Sequence, residues 1–185
     1  MIMLIYEDKR KTKDKLIFAL YELTKIKSLD KISVSELTIK AGLNRGTFYL
    51  NYDDFNDFII SVERELLAEL DKLLISDLVA CGLGKGIPKI FEFIFNHMQS
   101  FKIVSLDDVF LKQFEKLISD FIQTNNEFNI TIPQKYAQTL LLNSTISIIK
   151  IWVFEQYPRS VEEITDIYYK TRTLSPIELV MHETN

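Results

Sequence analysis

The chain has 185 residues, 47% of them hydrophobic and 26% charged, with 22 Lys and Arg against 26 Asp and Glu. That length buries a substantial core as one medium domain or two small ones, and the apolar content excludes a disordered chain. Five Gly and four Pro are few, which favours long helices over a turn-rich β fold. The net charge of −4 argues against indiscriminate nucleic-acid binding, but the charge is uneven. Residues 1–60 carry ten basic and nine acidic side chains, and the remainder carries twelve and seventeen. Lys9, Arg10, Lys11, Lys13 and Lys15 concentrate the basic excess. A basic start ahead of an acidic body suits DNA contact through one end; an ordinary solvated helix start is the other reading. The single cysteine, Cys81, has no partner for an internal disulfide and points to a reducing compartment, with packing as its role. Met1 to Tyr6 is too short for a signal peptide, and no run of about 18 uncharged apolar residues is available to cross a bilayer. The densest run, Leu140 to Phe154, is short and carries Asn143 and Lys150. A cytoplasmic protein without a membrane partner is therefore expected.

Leu16, Ile17, Leu20, Leu23 and Ile26 have helical spacing, with Thr12 as N-cap of a helix reaching about Lys27. Leu29, Ile32 and Val34 close a small core from the following loop. Ser33 with Glu36 three residues on makes a capping box for a second helix, with Leu37 and Ala41 on one face. Gly42 ends that helix at a turn that needs positive φ. Asn44 caps a third helix from Arg45 towards Tyr49. A short capped helix, a glycine turn and a second helix with a polar face form a helix-turn-helix, whose second helix enters the DNA major groove. Arg45 is the one side chain there able to fork onto guanine O6 and N7. Thr47 and Tyr49 offer hydroxyls to phosphate oxygens, although packing alone is the plainer role for both. Gly46 has no side chain, which lets the helix come close to the groove.

The nine residues Ala41 to Tyr49, with Ser33 to Leu37 before them and Tyr52 after, resemble the DNA-binding signature of the tetracycline-repressor (TetR) family. The resemblance is strong from about Lys11 to Val62 and weak beyond. It implies base contacts at Ser35, Arg45 and Gly46, backbone contacts at Ser33, Thr47, Tyr49 and Asn51, and the cap Asn44 within the same interface. The chain departs from the family where a Lys at the start of the fourth helix usually touches phosphate. Here that position is Phe55, surrounded by Asp53, Asp54 and Asp57, whose carboxylates repel phosphate. The basic segment 9–15 is the available compensation.

Asp53 or Asp54 caps a fourth helix of roughly 25 residues, about 37 Å long, with the stripe Phe55, Phe58, Ile59, Val62, Leu66, Leu70, Leu73 and Leu74. Gly82, Gly84 and Gly86 end it. Pro88 opens a fifth helix whose aromatic-rich face runs from Ile87 to Phe101. Ser105 with Asp108 is a second possible capping box, opening a helix with Val109, Phe110, Phe114, Leu117, Ile118 and Phe121, which Asn125 and Asn126 break. Pro133 opens a helix to about Gln156 whose centre is apolar on nearly every side, as expected of a helix buried all round. Ser160 with Glu163 caps a last helix bearing Val161, Ile164, Ile167 and Tyr168. After Pro176 a loose tail or short helical piece is expected.

The expected architecture is all-α: a three-helix DNA-binding head over residues 1–60, joined by the long helix to a helical effector-binding and dimerisation domain over 61–185. The resemblance implies a small-molecule site in the second domain, for which Phe91, Phe95, Met98, Phe110, Phe114 and Trp152 are the candidate lining. Helix spacing alone reads these as core, and His97 as a satisfied histidine rather than a polar anchor. His97, His182 and Cys81 are scattered and make no metal site. No cofactor is implied, and no catalytic constellation is present: the glycines from Gly82 to Gly86 lack the spacing and context of a phosphate loop. The resemblance further implies a homodimer through the helices around 133–156 and 160–173, and hence two recognition helices on a roughly palindromic operator in double-stranded DNA. The expected function is a DNA-binding transcriptional regulator, a repressor released by an unknown small-molecule effector. The alternative is a partner-binding co-regulator on the same scaffold with weakened DNA binding.

Overall fold

The structure, a computed structural model, describes residues 2–79, 83–106, 108–124, 132–175 and 177–180, with side chains of 10–76, 85–106, 108–121, 132–175 and 177–180. Cys81, Gly82, Asn125, Asn126, Pro176 and His182 lie outside the described residues, as does the side chain of Lys9. The helices are α1 (Ile2–Thr24), α2 (Val34–Lys40), α3 (Arg45–Tyr49), α4 (Phe55–Leu73), α5 (Leu83–Asn96), α6 (Met98–Val104), α7 (Asp108–Thr124), α8 (Gln134–Phe154) and α9 (Val161–Thr173). A 3-10 turn, Leu29–Lys31, precedes α2, and a π-helical stretch, Leu74–Val79, continues α4. The described residues contain no strand, in keeping with the all-α expectation.

The chain packs as two compact units, Met1–Leu66 with His97–Phe110, and Leu67–Asn96 with Leu111–Asn185. The first therefore takes in a segment beyond the 1–60 span, because α6 packs on α1. Its core is Leu16, Ala19 and Leu20 of α1, Ile32, Leu37, Phe48, and Phe58, Ile59 and Val62 of α4, with Phe101, Ile103 and Val104 of α6. Ile26, expected in that core, is exposed, because α1 ends at Thr24 and the chain has already turned away. The second unit buries Leu70, Ile87, Ile90, Phe91, Ile94, Phe114, Ile118, Ile146, Ile149, Trp152, Ile164 and Tyr168. There α5 packs on α9, and α9 on α8.

Four boundaries differ from the sequence reading. Helix α1 starts at Ile2 rather than after a cap at Thr12; no Gly or Pro lies between Ile2 and Thr12, and Glu7, Lys9, Arg10 and Lys11 are good helix formers. Gly84 and Gly86 lie inside α5, which starts at Leu83, so Pro88 is internal rather than in its first turn. Pro88 has no N–H to donate to the carbonyl of residue 84, so the helix forgoes one bond of its ladder there. The aromatic-rich helix breaks at His97 into α5 and α6. Ser105 closes α6 by donating its N–H to the Phe101 carbonyl; it stands three residues before Asp108, too early to be the N-cap of α7.

Helix α8 is not buried all round. Ile146, Ile149, Trp152 and Val153 face inwards, while Tyr136, Leu140, Ile151 and Phe154 are 66, 63, 67 and 50% exposed. With Asn143 and Ser147, also exposed, these four form one stripe at three- and four-residue spacing. By length and composition α8 is the one described helix apolar enough to span a bilayer. Its polar groups are tied into the packed unit instead: Lys150 pairs with Glu115 of α7, and Ser144 and Thr145 accept from Arg172 of α9.

Candidate nucleic-acid interface

The helix-turn-helix is built by local hydrogen bonds. The Ser33 hydroxyl accepts from the Glu36 N–H at 3.2 Å, and the Glu36 carboxylate accepts from the Ser33 N–H at 3.1 Å, a complete capping box. Ser33 Oγ also donates to that carboxylate at 2.8 Å. Lys27 pairs with Glu36, and these bonds hold the carboxyl well below its ordinary 4.5, at about 2, with the Lys27 bond foremost and the Ser33 bonds next. Gly42 has φ of 64°, the left-handed value the turn required, where an L side chain is strained. Asn44 Oδ1 accepts from the Gly46 N–H at 2.8 Å, the expected cap of α3.

A helix of five residues cannot hold itself in water. Phe48 anchors it. Its ring is fully buried against Tyr49, Tyr52 and Phe58, at centroid distances of 5.4, 5.4 and 6.0 Å. Burial of one such side chain contributes about 1.5–3 kcal/mol. With Phe48 directed inwards, Arg45, Gly46 and Tyr49 are left exposed and Thr47 half-buried. The Arg45 guanidinium lies 6.0 Å from the centroid of the Tyr49 ring one turn on, so both share one face. Asn51 donates to the Thr47 carbonyl at 2.8 Å and closes the C-terminal end. Ser35 is half-buried on α2. The structure thus brings Asn44, Arg45, Gly46, Thr47, Tyr49 and Asn51 together on α3 and its ends. Ser33 and Ser35 stand at the start of α2, with the Ser33 hydroxyl engaged by its box.

The acidic residues around Phe55 have a structural use. Asp54 accepts from the Asp57 N–H at 2.8 Å, and the Asp57 carboxylate accepts from the Asp53 N–H at 3.1 Å. Two of the three carboxylates thus cap α4, where its dipole favours negative charge. Phe55 lines an open hollow of about 930 Å³ beside Thr24, Ile26, Leu29, Ile59 and Leu106. Among the basic residues, Lys13 is drawn onto α4, where its Nζ contacts Glu65 Oε2 at 2.5 Å and the Ser61 carbonyl at 3.1 Å. Arg10, Lys11 and Lys15 are exposed. Pairing across 52 residues leaves no local signal, whereas the Asp54–Asp57 spacing was open to a capping interpretation from sequence.

The candidate effector residues divide between the units. Phe91, Phe95 and Trp152 meet in the second: Phe91 stands edge-on to Trp152 at 5.6 Å, and Phe95 stacks on it at 6.2 Å. Phe91 also meets Tyr168 at 5.6 Å. The indole N–H donates to the Arg159 carbonyl at 2.9 Å, which fixes the corner between α8 and α9. Phe114 is buried in the same unit, whereas Met98 and Phe110 belong to the first, where Phe110 packs edge-on against Phe101. His97 stands at the head of α6. Sequence reading passed over Arg172, whose guanidinium joins α9 to α8; a basic residue in the last turn of a helix is ordinarily explained by the helix dipole.

No protein-family model and no curated protein sequence matches the chain. Solved structures do. A TetR transcriptional regulator from Streptococcus agalactiae 2603V superposes with a TM-score of 0.51 at 21% identity, over 91% of this chain and 97% of that one. The fold is that of a TetR transcriptional regulator. The dihydroxyacetone kinase operon activator DhaS matches with a TM-score of 0.53 at 14% identity, over 86% of this chain and 92% of its own. The fatty acid degradation regulator FadR from Bacillus halodurans matches with a TM-score of 0.56 at 16% identity, over 85% and 92%. The TetR-like fold therefore extends over both packed units, well beyond the signature in residues 33–52.

Proposed function

We propose that this TetR-like chain is a DNA-binding transcriptional regulator that acts as a homodimer in the cytoplasm, represses from a roughly palindromic operator and is released by a small organic effector. The observation that carries the DNA-binding reading is α3. It is capped at Asn44, anchored by a fully buried Phe48, and presents Arg45, Gly46 and Tyr49 outwards. Arg45 is the base reader, bidentate on a guanine edge. Gly46 permits the close approach. Thr47, Tyr49 and Asn51 hold phosphates, joined by Ser35, while Asn44 and Ser33 position the two helix starts. The exposed stripe of α8 supports the dimer, since contiguous apolar surface of this kind marks an interaction site. The effector reading assigns Phe91, Phe95, Phe114 and Trp152 to the ligand-responsive unit, with Met98 and Phe110 in the unit that carries the head. Effector release requires different ligand affinity for the two head spacings.

A co-regulator that acts through another protein is the second reading. Lys13, engaged by Glu65 and the Ser61 carbonyl, and Phe55 in place of a phosphate-binding lysine favour it, because both reduce the cations available to DNA. One of the matched regulators is itself described as an activator, so the sign of regulation is open to direct assay. Fluorescence anisotropy on the upstream region of the chain's own gene, with wild type and Arg45→Ala, decides between the readings. Loss of binding with Arg45→Ala supports the regulator; regulation in the cell that survives this substitution supports the co-regulator.

A further inference from the structure

Among the described residues, Arg172 has no counter-ion. Its Nη1 donates to Ser144 Oγ at 2.5 Å and its Nη2 to Thr145 Oγ1 at 2.8 Å. Its Cζ lies 4.4 Å from the centroid of the Tyr168 ring. Nε is buried and donates to no acceptor among the described residues. Among the described residues no carboxylate stands within ion-pair distance of it, while the neighbouring Lys170 is paired with Asp166. A guanidinium stays charged at every physiological pH. Half-burying it against two hydroxyls and a ring costs solvation that neutral partners recover only in part. The two hydroxyls are oriented: Ser144 and Thr145 donate to the Leu140 and Leu141 carbonyls, which turns their lone pairs towards Arg172. Rotation of either hydroxyl presents a donor beside the guanidinium, and a guanidinium with flanking hydroxyls is a receptor for an oxyanion.

We infer that Arg172, with Ser144 and Thr145, receives the carboxylate of a small organic acid in the α8–α9 unit. One cation matches one negative charge, and the single guanidinium offers no second cation for a phosphate dianion. The Tyr168 ring beside the guanidinium is the apolar surface an acid's body would meet. The inference rests on the reading of this unit as the effector-responsive one, and supplies the chemical class of the effector.

The test uses the full-length protein with octanoate and 3-phenylpropionate, each against its own amide, and with inorganic phosphate. Binding is read by calorimetry and by thermal unfolding. At least one carboxylate is expected to bind and raise the melting temperature where its amide does not, and Arg172→Gln is expected to weaken that binding about tenfold or more. The double variant Ser144→Ala, Thr145→Val keeps the cation and is expected to weaken it several-fold, which keeps the test informative should Arg172→Gln fail to fold. The inference is overturned if acids and amides behave alike, if the response survives Arg172→Gln in a folded variant, or if phosphate alone responds. It is equally overturned if the sole effect of Arg172→Gln is dissociation of a dimer, which would assign the cation to a subunit contact. Carboxylate binding that leaves operator affinity unchanged would uphold the site and refute effector release.

Discussion

Replacing Gly46 with alanine separates what α3 needs for folding from what it needs for docking. A Cβ built at Gly46 meets only Asn44 Oδ1, at 3.4 Å, an ordinary contact. Its φ is not positive. Nothing within the head demands a glycine there. Alanine is better than glycine in a helix interior by up to about 1 kcal/mol, and less near a helix end. A gain of about 0.5 kcal/mol is therefore expected, raising the melting temperature of a chain this size by about 1–2 °C. Docked in a groove, the same methyl stands between the first turn of α3 and the DNA. A tenfold or greater loss of operator affinity, about 1.4 kcal/mol or more, is expected. Thermal unfolding and fluorescence anisotropy on one preparation read both effects. Unchanged affinity would refute the close-approach role of Gly46, and a melting temperature lowered by more than about 3 °C would refute the claim that the head has no use for it.

Two further outcomes follow from the same geometry. Glu36, held at about 2 against an ordinary 4.5, favours the folded head above pH 4.5, and that contribution is lost as the pH falls through 2. Unfolding followed against pH should show wild type losing stability across that window more steeply than Glu36→Gln; parallel curves would remove the Glu36 charge and its Lys27 pair as a source of head stability. Ile151 is two-thirds exposed, so Ile151→Asp should leave the helical circular dichroism intact and yield a monomer in sedimentation, whereas a folded Ile151→Asp dimer would place the subunit contact elsewhere.

The head was legible because its signals are local. Ser33 and Glu36, Gly42, and Asn44 each act on backbone groups within three residues, and their bonds appear where the spacing put them. The pattern Ser160–Glu163 was equally readable and forms its box. Tertiary packing decided the rest. Gly84 and Gly86 read as breakers, yet lie within α5, and Gly86 is buried, where a small residue admits close packing. The centre of α8 shows apolar residues on every side, but periodicity counts hydrophobic positions without saying which neighbour covers them. Lys13 with Glu65, and Arg172 with Ser144 and Thr145, pair over 52 and about 28 residues, separations at which no sequence spacing carries a signal.

Selection of bound DNA from a random-sequence library with the full-length protein bears most directly on the central claim, that α3 reads DNA as one of a symmetric pair. The expected result is enrichment of an inverted repeat whose half-site centres lie about one helical turn, or a multiple of it, apart, and no enrichment with Arg45→Ala. Recovered sequences indistinguishable from the starting pool, or a repeat that Arg45→Ala still enriches, would contradict it.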